Sequence, residues 1–90
     1  MTAGPRQVKL LYFARLRQQT GVAEEDFSLP SGVTTVAQLI DVLRKRGPGF
    51  AGAFGKTDRL HCAVNQNHTS FDAKIAPGDE IAFFPPVTGG

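Results

Sequence analysis

The side chains of this sequence with the greatest capacity for chemistry belong to His61, Cys62 and His68. His61 and Cys62 are adjacent, but neighbouring side chains of a strand point to opposite faces of a sheet and cannot readily share a proton. Cys62, followed by Ala63 and Val64, is interpreted as a small buried hydrophobic residue. His68 is interpreted as a solvated loop residue. This spacing matches no known metal site, so no metal is predicted.

The charged residues form two short runs. The acidic run Glu24–Asp26 is interpreted as a solvated face and not as a pair of acid–base carboxylates. The basic run Arg44–Arg46 lies in the last turn of a predicted helix, where cations complement the helix dipole. A net charge of +2 is too small to indicate a nucleic-acid-binding protein, and the chain lacks a Gly-rich phosphate-binding pattern.

The carboxyl terminus carries the most informative pattern. A strand-like segment runs into Pro85 and Pro86, which stiffen the chain and direct it away from a sheet, and the chain ends in Gly89 and Gly90. An extended segment from Pro85 to Gly90 would reach up to about 20 Å. Because glycine permits close backbone approach, such a tail can thread a narrow channel of another protein. The carboxylate of Gly90 is therefore predicted to be the functional group of this protein.

The hydrophobic pattern predicts one helix and several strands that position this tail. The helix spans residues 36–46, with Thr34 or Thr35 as N-cap, and is closed by a left-handed Gly47 and by Pro48. Polar residues 15–21 are predicted to hold one helical turn, and residues 48–59 are ambiguous, with a short helix possible. The predicted strands are 8–14, with both faces covered, 24–29, 61–65, a short extended piece at 69–71, and 80–84. Residues 65–68 are predicted to form a polar turn.

This order of elements predicts an α+β fold of the β-grasp (ubiquitin-like) class, with a mixed sheet of four to five strands packed on one main helix. Residues 8–84 are predicted to form the domain, residues 1–7 a flexible N-terminal extension, and residues 85–90 an extended, flexible tail. A chain of 90 residues has room for one core. Its single cysteine fits a reducing compartment, and no apolar run could span a membrane, so a soluble cytoplasmic protein is expected.

Three stretches of the chain resemble the small subunit of molybdopterin synthase: residues 8–17, Ala63–Gln66 and Gly78–Gly90. The last of these is highly specific, because sulfur carriers for thiamine generally lack the Phe-Phe-Pro-Pro-Val approach to the Gly-Gly end. Residues 48–59 are the least similar part, and nothing is transferred to them.

The resemblance implies that Gly90 is adenylated by an ATP-dependent activating enzyme and converted to a thiocarboxylate with persulfide sulfur. The tail would then donate this sulfur to a cyclic pterin precursor inside the large synthase subunit. It further implies a heterotetramer in which the small subunit is not catalytic alone and holds no bound cofactor. The implied partner-binding residues are Arg17, Phe84, Pro85, Pro86, Val87, Thr88 and Gly89, with Phe84 as the aromatic anchor.

Three alternatives remain open from the sequence. The chain could carry sulfur for thiamine or cysteine synthesis, with the same chemistry at Gly90 and a different acceptor. It could be a ubiquitin-like modifier that joins Gly90 to lysines of target proteins. It could also be an interaction domain with an inert tail.

Overall fold

The computed structural model describes residues 6–55 and 57–86. Its elements, in chain order, are β1 (Gln7–Tyr12), α1 (Arg15–Thr20), β2 (Glu24–Ser28), α2 (Val36–Arg44), α3 (Pro48–Ala53), a 3₁₀ turn (Thr57–Arg59), β3 (His61–Val64), β4 (Asn67–Thr69) and β5 (Glu80–Phe84). In the described part of the chain, no helix is long and apolar enough to cross a membrane.

The five strands form one mixed sheet in the order β2-β1-β5-β3-β4. The central pair, β1 and β5, is parallel, and the remaining pairs are antiparallel. One face of the sheet packs on the helices to form the core, which includes Leu10 and Phe83 from the strands, Leu39 and Leu43 from α2, and Leu16 from α1. The predicted α+β architecture is confirmed.

The prediction that both faces of the first strand are covered is wrong for the described part of the chain. Val8, Leu10 and Tyr12 point into the core, whereas Lys9 is exposed and Leu11 is half-buried. The strand is central in the sheet, as expected, but the helices lie on one side of it. The half-buried Leu11 lies on the face away from the core, so its apolar side chain is not explained by packing against the helices.

The main helix begins where the sequence indicates. Thr35 is the N-cap, and its hydroxyl oxygen accepts a hydrogen bond from Gln38 N at 3.2 Å, while Gln38 Oε1 accepts one from Thr35 N at 3.1 Å. This reciprocal capping box satisfies two backbone donors that the first turn would otherwise leave unpaired.

The predicted end of this helix is wrong in detail. The C-cap is Lys45, with an ordinary φ of −87°, and not a left-handed glycine. Gly47 has φ 138° and ψ 174° and serves instead as the N-cap of α3, so that Pro48 begins the next helix. Proline is favoured at this first helical position because its missing N–H would have no partner there. The short helix left possible at 48–59 is therefore present.

The turn after β3 is two residues shorter than the polar turn predicted at residues 65–68. Asn65 and Gln66 both have positive φ, at 51° and 71°, and form a two-residue turn. Such a turn matches the natural twist of two antiparallel strands, so β4 starts at Asn67 and not at Thr69. The shift moves His68 from a loop into a strand, directly opposite Ala63.

Candidate functional site: an open sheet face and the carboxyl terminus

The sheet face opposite the helices carries an apolar patch at its centre. Strand pairing places Leu11 beside Ala82, Ala82 beside Ala63, and Ala63 beside His68. Next to this row, Phe84 pairs with His61. All of these side chains are half-buried except His68, which is exposed. We call this patch the open face; it consists of Leu11, His61, Ala63, His68, Ala82 and Phe84.

The last strand divides its two phenylalanines between the two faces. Phe83 is fully buried in the core, where its ring packs edge-on against Phe54 at 5.0 Å between centroids. Phe84 points the opposite way and contributes to the open face. This division follows the alternation of side chains along a strand, and the outward residue is Phe84, for which the resemblance implied an anchoring role.

The tail leaves the sheet at the edge of this patch. Pro85 and Pro86 are half-buried, and Pro86 lines the same hollow as Phe84. The remaining predicted site residues, Val87, Thr88, Gly89 and Gly90, lie outside the described residues. The described part of the tail is therefore its starting point, Pro85-Pro86, which follows a core strand and is flanked by an apolar surface.

Three aromatic rings border this starting point. The ring centroid of Phe84 lies 5.9 Å from that of His61 and 5.7 Å from that of His68. Together with Ala63, Gln66 and Pro86 they line an open hollow of about 510 Å³. Aromatic rings grouped in this way offer large contact area at little conformational cost, which is typical of binding surfaces.

Two of the family-like stretches meet beside the start of β5. The Asn65 side chain donates to Asp79 Oδ1 at 3.0 Å and accepts from Glu80 N at 3.0 Å. Asp79 Oδ2 accepts from Ala76 N at 2.8 Å, which closes the turn before the strand. Asn65 and Asp79 thus fix the register of the strand that carries the tail.

Cys62 and Arg17, which the sequence analysis also considered, are a buried core residue and an exposed surface residue. Burial raises the pKa of the Cys62 thiol to about 11, so that at neutral pH it remains a protonated core group. Arg17 is exposed on α1. Among the described residues, no three histidine, cysteine or acidic side chains are grouped as metal ligands would be.

Glu25 is less exposed than was expected for a residue of the acidic run Glu24–Asp26. Glu25 accepts a hydrogen bond from Tyr12 Oη at 2.7 Å and two from Arg46, at 2.6 and 3.0 Å. The Arg46 guanidinium also lies over the rings of Phe50 and Phe27, at 4.4 and 5.1 Å from their centroids. Arg46 lies beyond the end of α2 and joins this segment to β2, which is a structural role. Of the basic run, Arg44 lies in the last turn of the helix as expected.

Sequence reasoning did not identify the contact between His61 and His68. His61 Nδ1 lies 3.0 Å from His68 Nε2. The signal that could have revealed it was the length of the Asn65-Gln66 turn, because a two-residue turn brings positions 61 and 68 to one face on neighbouring strands.

Known proteins are similar to this chain in both sequence and fold. The model of the ThiS family matches residues 10–90. The molybdopterin synthase sulfur carrier subunit of Escherichia coli is 37% identical over 83 residues, covering 92% of this chain and 99% of that protein. A solved structure assigned as molybdopterin converting factor subunit 1 from Pyrococcus furiosus has a TM-score of 0.72 and 36% identity, covering 91% of this chain and 99% of the other.

A more distant fold relative is a chain of the complex of subunits 1 and 2 of molybdopterin-converting factor from Helicobacter pylori. It has a TM-score of 0.63 and 19% identity, and the match covers 93% of this chain and 99% of that one. The family match extends over the open face and through the final Gly-Gly. The chain therefore belongs to the ThiS family, together with the molybdopterin synthase sulfur carrier subunits.

Proposed function

We propose that this chain is the sulfur carrier subunit of a molybdopterin synthase and that its reactive group is the carboxylate of Gly90. The observation that carries the proposal is the match to the ThiS family through the last residue, combined with full-length similarity to carriers of that name. The fold supports it, because a core strand delivers the Pro85-Pro86 segment to the edge of an apolar surface.

The carboxylate of Gly90 is a poor electrophile, so it must be activated before it can accept sulfur. A carboxylate resists nucleophilic attack, and transfer of AMP from ATP to Gly90 by an activating enzyme supplies a leaving group. A persulfide donor then displaces AMP to give an acyl disulfide. A thiol attacks the donor's sulfur, which forms a new disulfide and releases the thiocarboxylate on Gly90. The thiocarboxylate sulfur is the nucleophile that reaches the pterin precursor. Within this chain, side chains are required for positioning and docking and not for the bond-making steps.

The proposed partner is the large synthase subunit, which docks on the open face and receives the tail. The described helices pack on the opposite face of the sheet, so the central apolar row, containing Leu11, Ala82 and Ala63, is left for another molecule to cover. A patch of this composition is typical of the core of an interface. The fold relative from Helicobacter pylori is itself described in a complex of subunits 1 and 2.

The proposal is tested by mass spectrometry of the C-terminal peptide. The protein is incubated with its activating enzyme, ATP, a persulfide donor and a thiol, and the peptide is examined for replacement of one Gly90 oxygen by sulfur. Intact mass is unsuitable, because oxidation of Met1 gives nearly the same nominal shift. The matched control is the chain lacking Gly89 and Gly90, which should bind the large subunit through the open face yet fail to deliver sulfur.

Three results would redirect the proposal. A plain carboxylate after this incubation would contradict carrier chemistry. Isopeptide conjugates to lysines, without a thiocarboxylate form, would favour the modifier. A thiocarboxylate that is consumed by a thiamine or cysteine pathway, and not by a pterin acceptor, would change the acceptor while leaving the chemistry at Gly90 intact.

A further inference from the structure

The two histidines of the open face are held in a specific mutual orientation. Their rings are inclined by 21° with centroids 5.1 Å apart, and His61 Nδ1 and His68 Nε2 are separated by 3.0 Å. The centroid separation exceeds the nitrogen separation by about two ring radii, so the rings lie side by side with these nitrogens facing each other. Facing nitrogens at this distance share one proton in an N–H···N hydrogen bond. We call these two residues the histidine pair.

The same geometry argues against a metal site at the histidine pair. Two imidazoles that chelate one ion direct their lone pairs to a common point outside the line between them. Here the lone-pair directions meet head-on, and no third histidine, cysteine or acidic ligand stands near in the described ranges 6–55 and 57–86. The contact described is a hydrogen bond between the two rings.

The side chains that line the two hollows beside the histidine pair are uncharged. Hollows lie on both sides of it, lined by Ala63, Gln66, Phe84 and Pro86 on one side and by Leu60, Thr69, Ser70 and Phe71 on the other. The charged residue of β5 is Glu80, four residues before Phe84. Its neighbour on β1 is Lys9. Arg59, which precedes β3, lines a different hollow with Arg15. Asp72, which follows Phe71, is exposed. Among the described residues, no carboxylate forms an ion pair with either imidazole.

We propose that the histidine pair makes docking through the open face dependent on pH, with binding favoured when the pair is neutral and weakened when it takes up a proton. This inference rests on the proposed function, because it assumes that the large subunit covers the open face. It adds a regulatory property that belongs to His61 and His68 and not to the tail.

The physical reason is the cost of burying a charge. A neutral pair satisfies its inner nitrogens internally and presents mainly apolar ring surface beside Phe84. Protonation adds a charge that must be desolvated when a partner covers the face, and this cost opposes binding. Imidazoles ordinarily change charge between about pH 5 and about pH 8, which includes the range in cells.

Uptake of a second proton has a further effect. With both imidazoles protonated, both inner nitrogens carry hydrogen, so the N–H···N bond is lost and two like charges stand side by side. The rings must then separate, which disrupts the surface formed with Phe84.

The test is a pH series of affinities for the large subunit by isothermal titration calorimetry. For the unmodified chain, the Kd should rise at least about tenfold between about pH 7.5 and about pH 5.5, because linkage to one proton gives up to about tenfold per pH unit. The control is the double variant His61→Gln and His68→Gln, which retains polarity without titration. Its Kd should change less than about threefold over the same range.

A second measurement follows the protein by itself. NMR of the imidazole nitrogens should show a shared proton at neutral pH and loss of the coupling between the rings in acid. If both proteins weaken equally in acid, the dependence belongs to the partner and the inference is overturned. Binding of the unmodified chain that is independent of pH would also overturn it while leaving the proposed function intact. Absence of binding at every pH would contradict the proposed docking, and the inference with it.

Discussion

Glu25 shows how a single residue can depart from what its local sequence indicates. It stands in an acidic run, yet its side chain is 19% exposed and is held by Tyr12 and Arg46. Burial alone would raise the pKa of the Glu25 carboxyl, but hydrogen bonds from Arg46 and Tyr12 outweigh it, and the pKa lies below its ordinary value near 4.5. The network joins β1, β2 and the end of α2.

Replacement of Glu25 by glutamine should lower the free energy of unfolding by about 1–2 kcal/mol at neutral pH, because the charge-assisted bonds from Arg46 are lost. A carboxyl whose pKa is lower in the folded state stabilises the fold fully above the unfolded value, and this contribution disappears as pH falls through the folded value. The difference between the variant and the parent in urea unfolding should therefore shrink towards about pH 3.

The matched control for this experiment is Glu24→Gln. Glu24 lies 3.7 Å from Lys9, and the two side chains are 61% and 47% exposed. An exposed pair of this kind should contribute less than about 0.5 kcal/mol at any pH. Equal losses for the two variants would show that the network around Glu25 gives no special stabilisation.

The individual residues of the site were predictable to different degrees. Alternation along a strand indicated that one of Phe83 and Phe84 faces outward, and the family resemblance implied that Phe84 is the anchor. The histidine pair and the Glu25 network were missed, since each joins residues on different strands or helices. Sequence spacing gives the face on which a residue lies, but the partner across a turn depends on turn length and register.

At the scale of elements, α3 illustrates why residues 48–59 were ambiguous. Three glycines weaken helical propensity there, yet Phe50 and Phe54 pack against Tyr12 with centroid separations of 5.9 and 6.2 Å. Tertiary packing overrides the weak local preference. One glycine is required for this packing, since a Cβ at Gly49 would stand 2.2 Å from the carbonyl oxygen of Gln19 at the end of α1.

Gly49→Ala should therefore destabilise the fold by about 1–3 kcal/mol, because two backbones would have to move apart. Gly52 lies in the same helix, and a Cβ there would meet the Gln19 side-chain nitrogen at 3.6 Å, which is an ordinary contact. Gly52→Ala should be neutral or stabilising by up to about 1 kcal/mol, since alanine favours helix. Thermal unfolding of both variants distinguishes them, and a Gly49→Ala protein as stable as its parent would contradict the close packing of α1 and α3.

For the whole molecule, the fold class could be predicted because the order of strands and helix leaves few topologies in which one helix covers one sheet face. The prediction that both faces of the first strand are covered is wrong for the described residues. In the proposed function, Leu11, Ala63 and Ala82 form part of the surface on which the large subunit docks. An apolar sequence pattern can indicate that a surface is buried, but it does not indicate which chain buries it.

The two adjacent phenylalanines of β5 allow folding and docking to be separated. Phe83 is fully buried, and Phe83→Ala should cost about 3–5 kcal/mol of stability, as expected for a large core side chain. Phe84 lies on the open face, so Phe84→Ala should leave a cooperative unfolding transition but weaken binding to the large subunit by about tenfold or more. Circular dichroism and calorimetry on both variants measure the two effects. If Phe84→Ala binds as tightly as the parent, the interface lies elsewhere, and the half-buried aromatic beside the tail must have another role.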